Sequence, residues 1–474
     1  MENNKGFIAK IGNVNAIEGA DRIKSADVML NGVKQTQVIV GLDLKENTLV
    51  AYFDSNICLS EKIMVDYPDI VKYLAKAGRV KTIKLKGVIS SGLVMEMDKF
   101  LPYFKDEKEM NKVMVEGYAF TKIGDTEICH KYTPAPCRNS GDGNHRKGMK
   151  KEPSRMVEGI FKFHFDTSQL LRNVGRLNPD SIISVSRKVH GTSAICGNTM
   201  VKRKLSIIDK LAMLFGAKIN KYDYDYIYAS RNTVKNARYM KDTDLNKNDL
   251  WIAAGQKYFL NKLHKGETVY YEIVGYMSSG RMVQKNYDYG CPVGEYKVAV
   301  YRITNTNMDG VPHEMSWMAM KDRCKELGVP MVEEFYYGKA KLMFYEPSVE
   351  PKPLTLAESL DLLKLIEDAN NNPMPATLTP PEVTTEYLNR EWAKNFVNKL
   401  KEVYLEKDCW DSLLSKKMPD EGIVLRVEGL SIDVFKLKSE KFLLGESKAK
   451  EDGEEDLEES ESSNTEENET KGGE

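Results

Sequence analysis

The sequence predicts an α+β fold, with a small all-β domain in front, a larger mixed domain behind it and a disordered acidic tail. Three observations carry this. Short β-branched runs separated by turn residues fill the N-terminal part. From "FKFHFDTSQLL" to "VFKLKSEKFL" strand-like and helix-like patterns alternate. Beyond Lys450 apolar residues nearly vanish and Asp and Glu take over. A chain of 474 residues has room for two or three domains.

In the front domain, residues 1–150, "ADVML", "VKQTQVIV" and "TLVAYF" read as strands. Asn31-Gly32 lies between the first two and is a strong hairpin signal. "RVKTIKLKGVISSGLVMEM" places Ile83 and Leu85 on one face and Lys84 and Lys86 on the other. Short strands with basic outward residues predict a small barrel of the OB type, a common nucleic-acid platform. Residues 130–155 are rich in Pro, Gly, Ser and Lys and read as a linker. Cys129, His130, Cys137 and His145 fall in or beside it, but their spacing matches no zinc finger or ribbon.

The body spans residues 151–446, with a helical insertion at about 305–415. Seven of the seventeen prolines lie between Pro347 and Pro381. Among them "TLAESLDLLKLIEDAN" reads as a helix, opened by a capping box of Thr355 and Glu358. A second helix, "EYLNREWAKNFVNKLKEVY", spaces Leu388, Trp392 and Phe396 at i+4, then adds Leu400 and Tyr404, a packing stripe. Residues 447–474 form the tail.

Composition narrows the partners. The apolar fraction of 41% supports packed cores, and 29% charged residues favour solubility. "MENNKGFIAK" lacks the pattern of a signal peptide, and no apolar run is long enough to span a bilayer, so no membrane partner is expected. Seven cysteines without framework spacing predict free thiols in a cytoplasmic or otherwise intracellular setting. The chain is expected to act as a monomer. Its net charge of −1 hides an asymmetry: residues 451–474 carry −11, which leaves +10 on residues 1–450. Such a body suits a polyanion, because Lys and Arg contacts to phosphate dominate nucleic-acid affinity.

The chemistry centres on "SRKVHGTSAI", residues 186–195, which follows the β-branched "SIISV". Alone, a lysine and a glycine this close form a weak signal. Four further stretches follow in order: "YASRN" (228–232), "VYYEIVGY" (269–276), "YKVAVYRI" (296–303), and "DEGIVLRV" (420–427) with "VFKLKSEKFL" (434–443). This ordered set resembles the covalent nucleotidyltransferase superfamily of ATP-dependent polynucleotide ligases and mRNA-capping enzymes. Lys188-Val-His190-Gly191 resembles the nucleophile motif, and Arg231 stands in the arginine motif that follows. Glu272 falls at the acid of the third motif, and Tyr301 (or neighbouring Tyr296) in the strand that offers a ring to the base. Glu421-Gly422 resembles the fourth motif, and Lys436 with Lys438 the paired lysines of the fifth. His190 stands where many members have Asp, and the gaps from Lys188 to Arg231 and from Tyr301 to Glu421 are long.

Within the superfamily the closest resemblance is to RNA ligases, through K-x-H-G-T-S, the K-x-K-S-x-K-F ending and "FKFHFDTSQLL". The fifth RNA ligase family, with its OB domain in front, matches the order seen here. The resemblance implies an OB-like barrel followed by an adenylyltransferase domain of the ATP-grasp-like ligase class. It implies ATP and Mg²⁺ or Mn²⁺ as cofactors, RNA with 3′-hydroxyl and 5′-phosphate ends as partner, and a role in RNA repair. Lys188 would form lysyl-AMP, while Lys436 and Lys438 stabilise phosphoryl charge. His190, Gly191, Arg231, Tyr301 and Glu272 would hold the nucleotide, Glu272 through the ribose. Glu421 and Glu272 are the carboxylates for the metal. A DNA ligase, a GTP-using capping enzyme and a binding module without catalysis are the rival readings.

Overall fold

The computed structural model describes residues 5–55, 57–133, 154–164, 167–237, 249–345, 385–406, 414–415 and 418–452. The predicted helix after Thr355, Cys137, His145 and the tail beyond Asp452 lie outside them. The front domain runs through β1 (Gly6–Ala16), β2 (Ile23–Leu30), β3 (Val33–Gly41), β4 (Leu49–Phe53) and β5 (Ile57–Leu59). Then come α1 (Glu61–Asp66), β6 (Thr82–Leu85), β7 (Val88–Ser91), β8 (Leu93–Glu96) and α2 (Glu107–Val113). Four short strands close it: β9 (Ala119–Phe120), β10 (Lys122–Ile123), β11 (Thr126–Glu127) and β12 (Cys129–Lys131).

Asn31 and Gly32 both take positive φ, 51° and 76°, so the turn has the right hand to fold β2 back onto β3. The sheet order is β3-β2-β1-β4-β8, with β9 on β1. This sheet is a half-barrel, where the sequence predicts a small barrel of the OB type. Its edge strand β3 meets the β6–β7 hairpin through Ile39 N–H donating to Ser90 Oγ, a side-chain contact in place of a ladder. Central β1 is buried on both faces: Ile8 joins a core with Phe53, Phe100 and Phe120, while Phe7, Ala9 and Ile11 join Val28, Val38 and Val50. Lys86-Gly87 forms the β6–β7 turn with positive φ, and Leu85 stays exposed there instead of facing a core.

The body contains β13 (Ser168–Gln169), β14 (Ile182–Arg187), β15 (Thr192–Lys202), α3 (Ile207–Leu214) and β16 (Tyr222–Ser230). It continues with α4 (Leu250–Phe259), β17 (Glu267–Gly275), β18 (Tyr296–Thr306), β19 (Pro312–Glu314) and α5 (Trp317–Leu327). After β20 (Glu334–Lys339) come α6 (Thr385–Lys401), β21 (Gly422–Val427), β22 (Asp433–Lys438) and α7 (Glu440–Glu451). Two five-stranded sheets result, β13-β22-β21-β14-β20 and β16-β15-β17-β18-β19. Helices back each sheet. α4 and α5 cover Ala194, Tyr271, Ile273 and Val300, while α6 covers Ile183, Val185, Leu425 and Phe435. Strand alternation turns Ser186, Val424, Arg426 and Val434 to the opposite face, toward a cavity.

Three expectations shift. The stretch expected as a helical insertion carries β20, which pairs along β14, and α5, which fills a core; both are integral to the body. Along α6 the buried stripe is Ala393, Phe396, Val397 and Leu400, and Leu388 is 56% exposed, because i+3/i+4 spacing selects a neighbouring face. The last helix runs past 446: α7 ends at Glu451, and Ser447 Oγ accepts from Thr82 N–H of the front domain at 3.1 Å.

Several bonds join the front domain to the body. Gln35 Nε2 donates to Leu171 O at 3.0 Å, Lys401 Nζ to Lys34 O at 2.6 Å, and Arg172 pairs with Asp54 at 2.6 Å while lying over the Phe7 ring. A cavity of about 840 Å³ lies along this junction, bordered by Lys34, Arg172, Lys401 and Lys438.

Candidate active site

Lys188 leaves the end of β14, where its backbone N–H donates to Gly422 O at 2.8 Å. Gly422 has φ 141°, and a Cβ there would stand 2.0 Å from Leu437 O. A side chain is therefore excluded, and β21 can close on β22 with Glu421 turned inward. Ser439 ties the far end: its N–H donates to Glu421 O at 3.0 Å, its Oγ to Asp420 O at 2.8 Å, and Phe442 N–H caps back onto that Oγ at 3.1 Å. The serine of "SEKF" thus starts α7 and fixes the acid at once.

Glu421 is 4% exposed. Lys188 Nζ and Lys438 Nζ each lie 3.0 Å from its Oε1, and His190 Nδ1 is 3.8 Å from Oε2. From α7, Glu446 stands 3.5 Å from Lys438 and 3.8 Å from Lys450. Charges thus alternate along Lys188, Glu421, Lys438, Glu446 and Lys450. Burial raises the cost of ionising Glu421, but Lys188, Lys438 and His190 outweigh it and hold the carboxyl down at about 2. Glu446 is likewise held at about 2, with Lys438, Lys450 and His190 overcoming burial. The His190 ring is wedged edge-on between Tyr287 at 4.7 Å and Phe442 at 4.9 Å, and its backbone N–H donates to Tyr289 Oη at 2.8 Å.

Gly191 is explained by packing. A Cβ there would meet Ile273 O at 2.5 Å and Glu272 Oε2 at 3.2 Å, so the glycine lets the loop lie against β17. Glu272 itself sits opposite Ser193 in the β15–β17 pair, and Ser193 Oγ meets Tyr301 Oη at 2.8 Å. Tyr296 instead packs against Tyr258 with Lys257 over its ring, so of the two candidate rings Tyr301 is the one facing the sheets' shared space.

That space is a cavity of about 330 Å³ between the two sheets, walled by Lys188, Glu272, Tyr301, Trp317, Arg302 and Arg426. The predicted residues divide. Lys188, Glu272 and Tyr301 line this cavity, whereas Lys438 lines the junction cavity. Buried Glu421 sits between the two, in contact with a lysine from each. Lys436 lies opposite Val424, a cavity-lining position, in the β21–β22 ladder. Among the described residues that wall the cavity Arg231 is absent; it follows directly on β16, where Ser230 pairs with Ala194.

Other walls went unread in the sequence. Arg302 pairs with Glu314 at 2.8 Å, and Glu314 also meets buried Arg426 at 3.2 Å. Arg426 lies over the Trp317 ring. His164 and Thr167, both in "FKFHFDTSQLL", complete one end, with the His164 ring 5.2 Å from Tyr301. The two arginines have only proximity as a sequence signal: Arg302 follows Tyr301, and Arg426 shares the face of Val424. Among the described residues no three His, Cys, Asp or Glu side chains gather as a metal site. Glu421, buried and ionised, suits a hard cation whose other ligands are phosphate and water.

Two facing five-stranded sheets enclose a cavity that holds a strand-end lysine. Solved structures share this fold. The chain matches Naegleria gruberi RNA ligase with PPi at TM-score 0.53 and 13% identity, covering 94% of this chain and 99% of that one. A point mutant of the same ligase with AMP and Mn gives 0.52 at 15%, covering 95% and 100%, and another with ATP and Mn gives 0.52 at 14%, covering 94% and 99%. No protein-family model matches the chain, and no curated protein does.

Proposed function

We propose that this chain is an ATP-dependent RNA ligase that joins 3′-hydroxyl and 5′-phosphate ends through lysyl-AMP and an adenylylated 5′ end. One observation carries the reading: Lys188 walls the inter-sheet cavity beside Glu272 and Tyr301 and shares Glu421 with Lys438. The likeness to Naegleria gruberi RNA ligase with ATP, AMP or PPi supports it. Lys188 Nζ, released from Glu421 and deprotonated, attacks the α-phosphorus of ATP; the bond to pyrophosphate breaks and pyrophosphate leaves. An RNA 5′-phosphate oxygen then attacks the same phosphorus, breaking its bond to Nζ and restoring the amine. Finally the 3′-hydroxyl attacks the terminal phosphorus, loses its proton and expels AMP.

Lys438 keeps Glu421 paired when Lys188 departs, so the buried carboxylate is never left uncompensated. Lys436 and Lys438 offset charge on the phosphoryl oxygens, and Tyr301 offers its aromatic face to the base. Arg231, His190 and Gly191 are assigned to nucleotide binding, and Gly191 also lets the loop lie against β17 beside Glu272. Glu421, with Glu272 as the second candidate, would hold Mg²⁺ or Mn²⁺, which when bound supplies positive charge to the phosphates. An OB-type role for the half-barrel, presenting the strand that ends in the 3′-hydroxyl, completes the proposal. Joining of RNA 3′-hydroxyl ends but not DNA ones is expected; equal joining of both would make the chain a general polynucleotide ligase.

A further inference from the structure

The β15–β16 hairpin carries α3 at the end far from the site. Its pairing runs from Ala194 opposite Ser230, near the cavity, to Lys202 opposite Tyr222, eight residues on. At the usual rise per residue this is roughly 27 Å. The neck is held by Arg203 N–H donating to Lys221 O at 2.8 Å, and Arg203 also reaches Asp209 at 3.1 Å. A capping box of Ser206 and Asp209 fixes the helix start. The helix is thus a built element.

None of its residues is buried. Ile207, Ile208, Leu211, Leu214 and Phe215 are 50–84% exposed. They recur at i, i+1, i+4, i+7 and i+8, so they form one outward stripe. Exposed Lys202 and Lys204 precede it in the sequence, Lys210 lies within it, and exposed Lys218 and Lys221 follow it. Residues 202–221 hold six cations and one acid, a net of +5.

We propose that α3 and its basic flanks dock on an anionic lipid surface. An apolar helical stripe flanked by lysines is the pattern that lies in a bilayer interface, with side chains among the acyl chains and ammonium groups at the head groups. Charge complementarity selects an anionic bilayer. The chain's own acidic stretch, 451–474, has a single apolar side chain, Leu457, and lacks the surface to cover the stripe. No helix among the described residues is long and apolar enough to cross a membrane, so the contact is peripheral. Peripheral docking departs from the expectation of no membrane partner, which rested on the lack of an apolar run long enough to span a bilayer. Docking through the hairpin tip leaves both cavities open.

The test is flotation of the full chain with vesicles of phosphatidylcholine, with and without phosphatidylserine. Wild type should float with the anionic vesicles and stay behind with the neutral ones. Ile208→Ser/Leu214→Ser should lower the partition at least about tenfold, since burying even one such side chain is worth that much. Lys204→Glu/Lys218→Glu should lose anionic selectivity, with unchanged melting temperatures showing that both variants fold. Wild type that floats with neither vesicle overturns the proposal. If Ile208→Ser/Leu214→Ser then also abolishes self-association in sedimentation, the stripe pairs two copies instead. Unchanged flotation of that variant overturns it as well.

Discussion

Replacing Glu421 with Gln tests the charge ladder at the heart of the site. The substitution keeps the shape but exchanges one acceptor oxygen for an amide donor and removes the anion shared by Lys188 and Lys438. Held at about 2 when folded against an ordinary 4.5, the Glu421 carboxyl binds fewer protons in the native state than in the unfolded one. Its contribution is therefore complete well above pH 4.5 and fades as pH falls toward 2. The full linkage is worth about 3 kcal/mol, of which roughly 2 kcal/mol is gone by pH 3. Glu421→Gln should then be about 3 kcal/mol less stable than wild type at pH 7, but only about 1 kcal/mol less stable at pH 3. Urea unfolding of both proteins at the two pH values measures this. A stability gap that stays constant between pH 7 and pH 3 would refute the reasoning, because it would mean that Glu421 gains nothing from the lysines when it ionises.

Two further substitutions separate parts of the account. Tyr301→Phe keeps the ring that walls the cavity and loses only the contact with Ser193, whereas Tyr301→Leu loses the ring. Titration calorimetry with a non-hydrolysable ATP analogue should show about tenfold weaker binding for Leu and little change for Phe. Arg172→Ala removes the pair with Asp54 and the cation over Phe7 at the domain junction. It should spare labelling of Lys188 by ATP and slow strand joining at least about tenfold; equal rates would detach the front domain from the joining step.

Local chemistry made much of this legible. Asn31-Gly32 announces its hairpin because only a turn with positive φ fits between two twisted strands. Candidate site positions are readable where a glycine or a plain strand pattern stands beside them, as with Gly422 and Glu421. Central β1 escaped notice because both its faces are buried, which erases the alternation that marks a half-exposed strand. Arg426, Glu314 and Trp317 were invisible for a different reason: they meet across sheets, and nothing local in the sequence sets that distance. Nor does strand pattern reveal that Lys188 and Lys438 open onto different cavities.

The central claim is that Lys188 becomes covalently adenylylated. Wild type and Lys188→Ala would be incubated with α-labelled ATP and Mg²⁺ or Mn²⁺, after removal of any nucleotide already attached, and run on a denaturing gel. The account predicts label on wild type and none on Lys188→Ala. Label on both would place the chemistry on another residue, and label on neither, with ATP or GTP, would contradict the ligase reading outright.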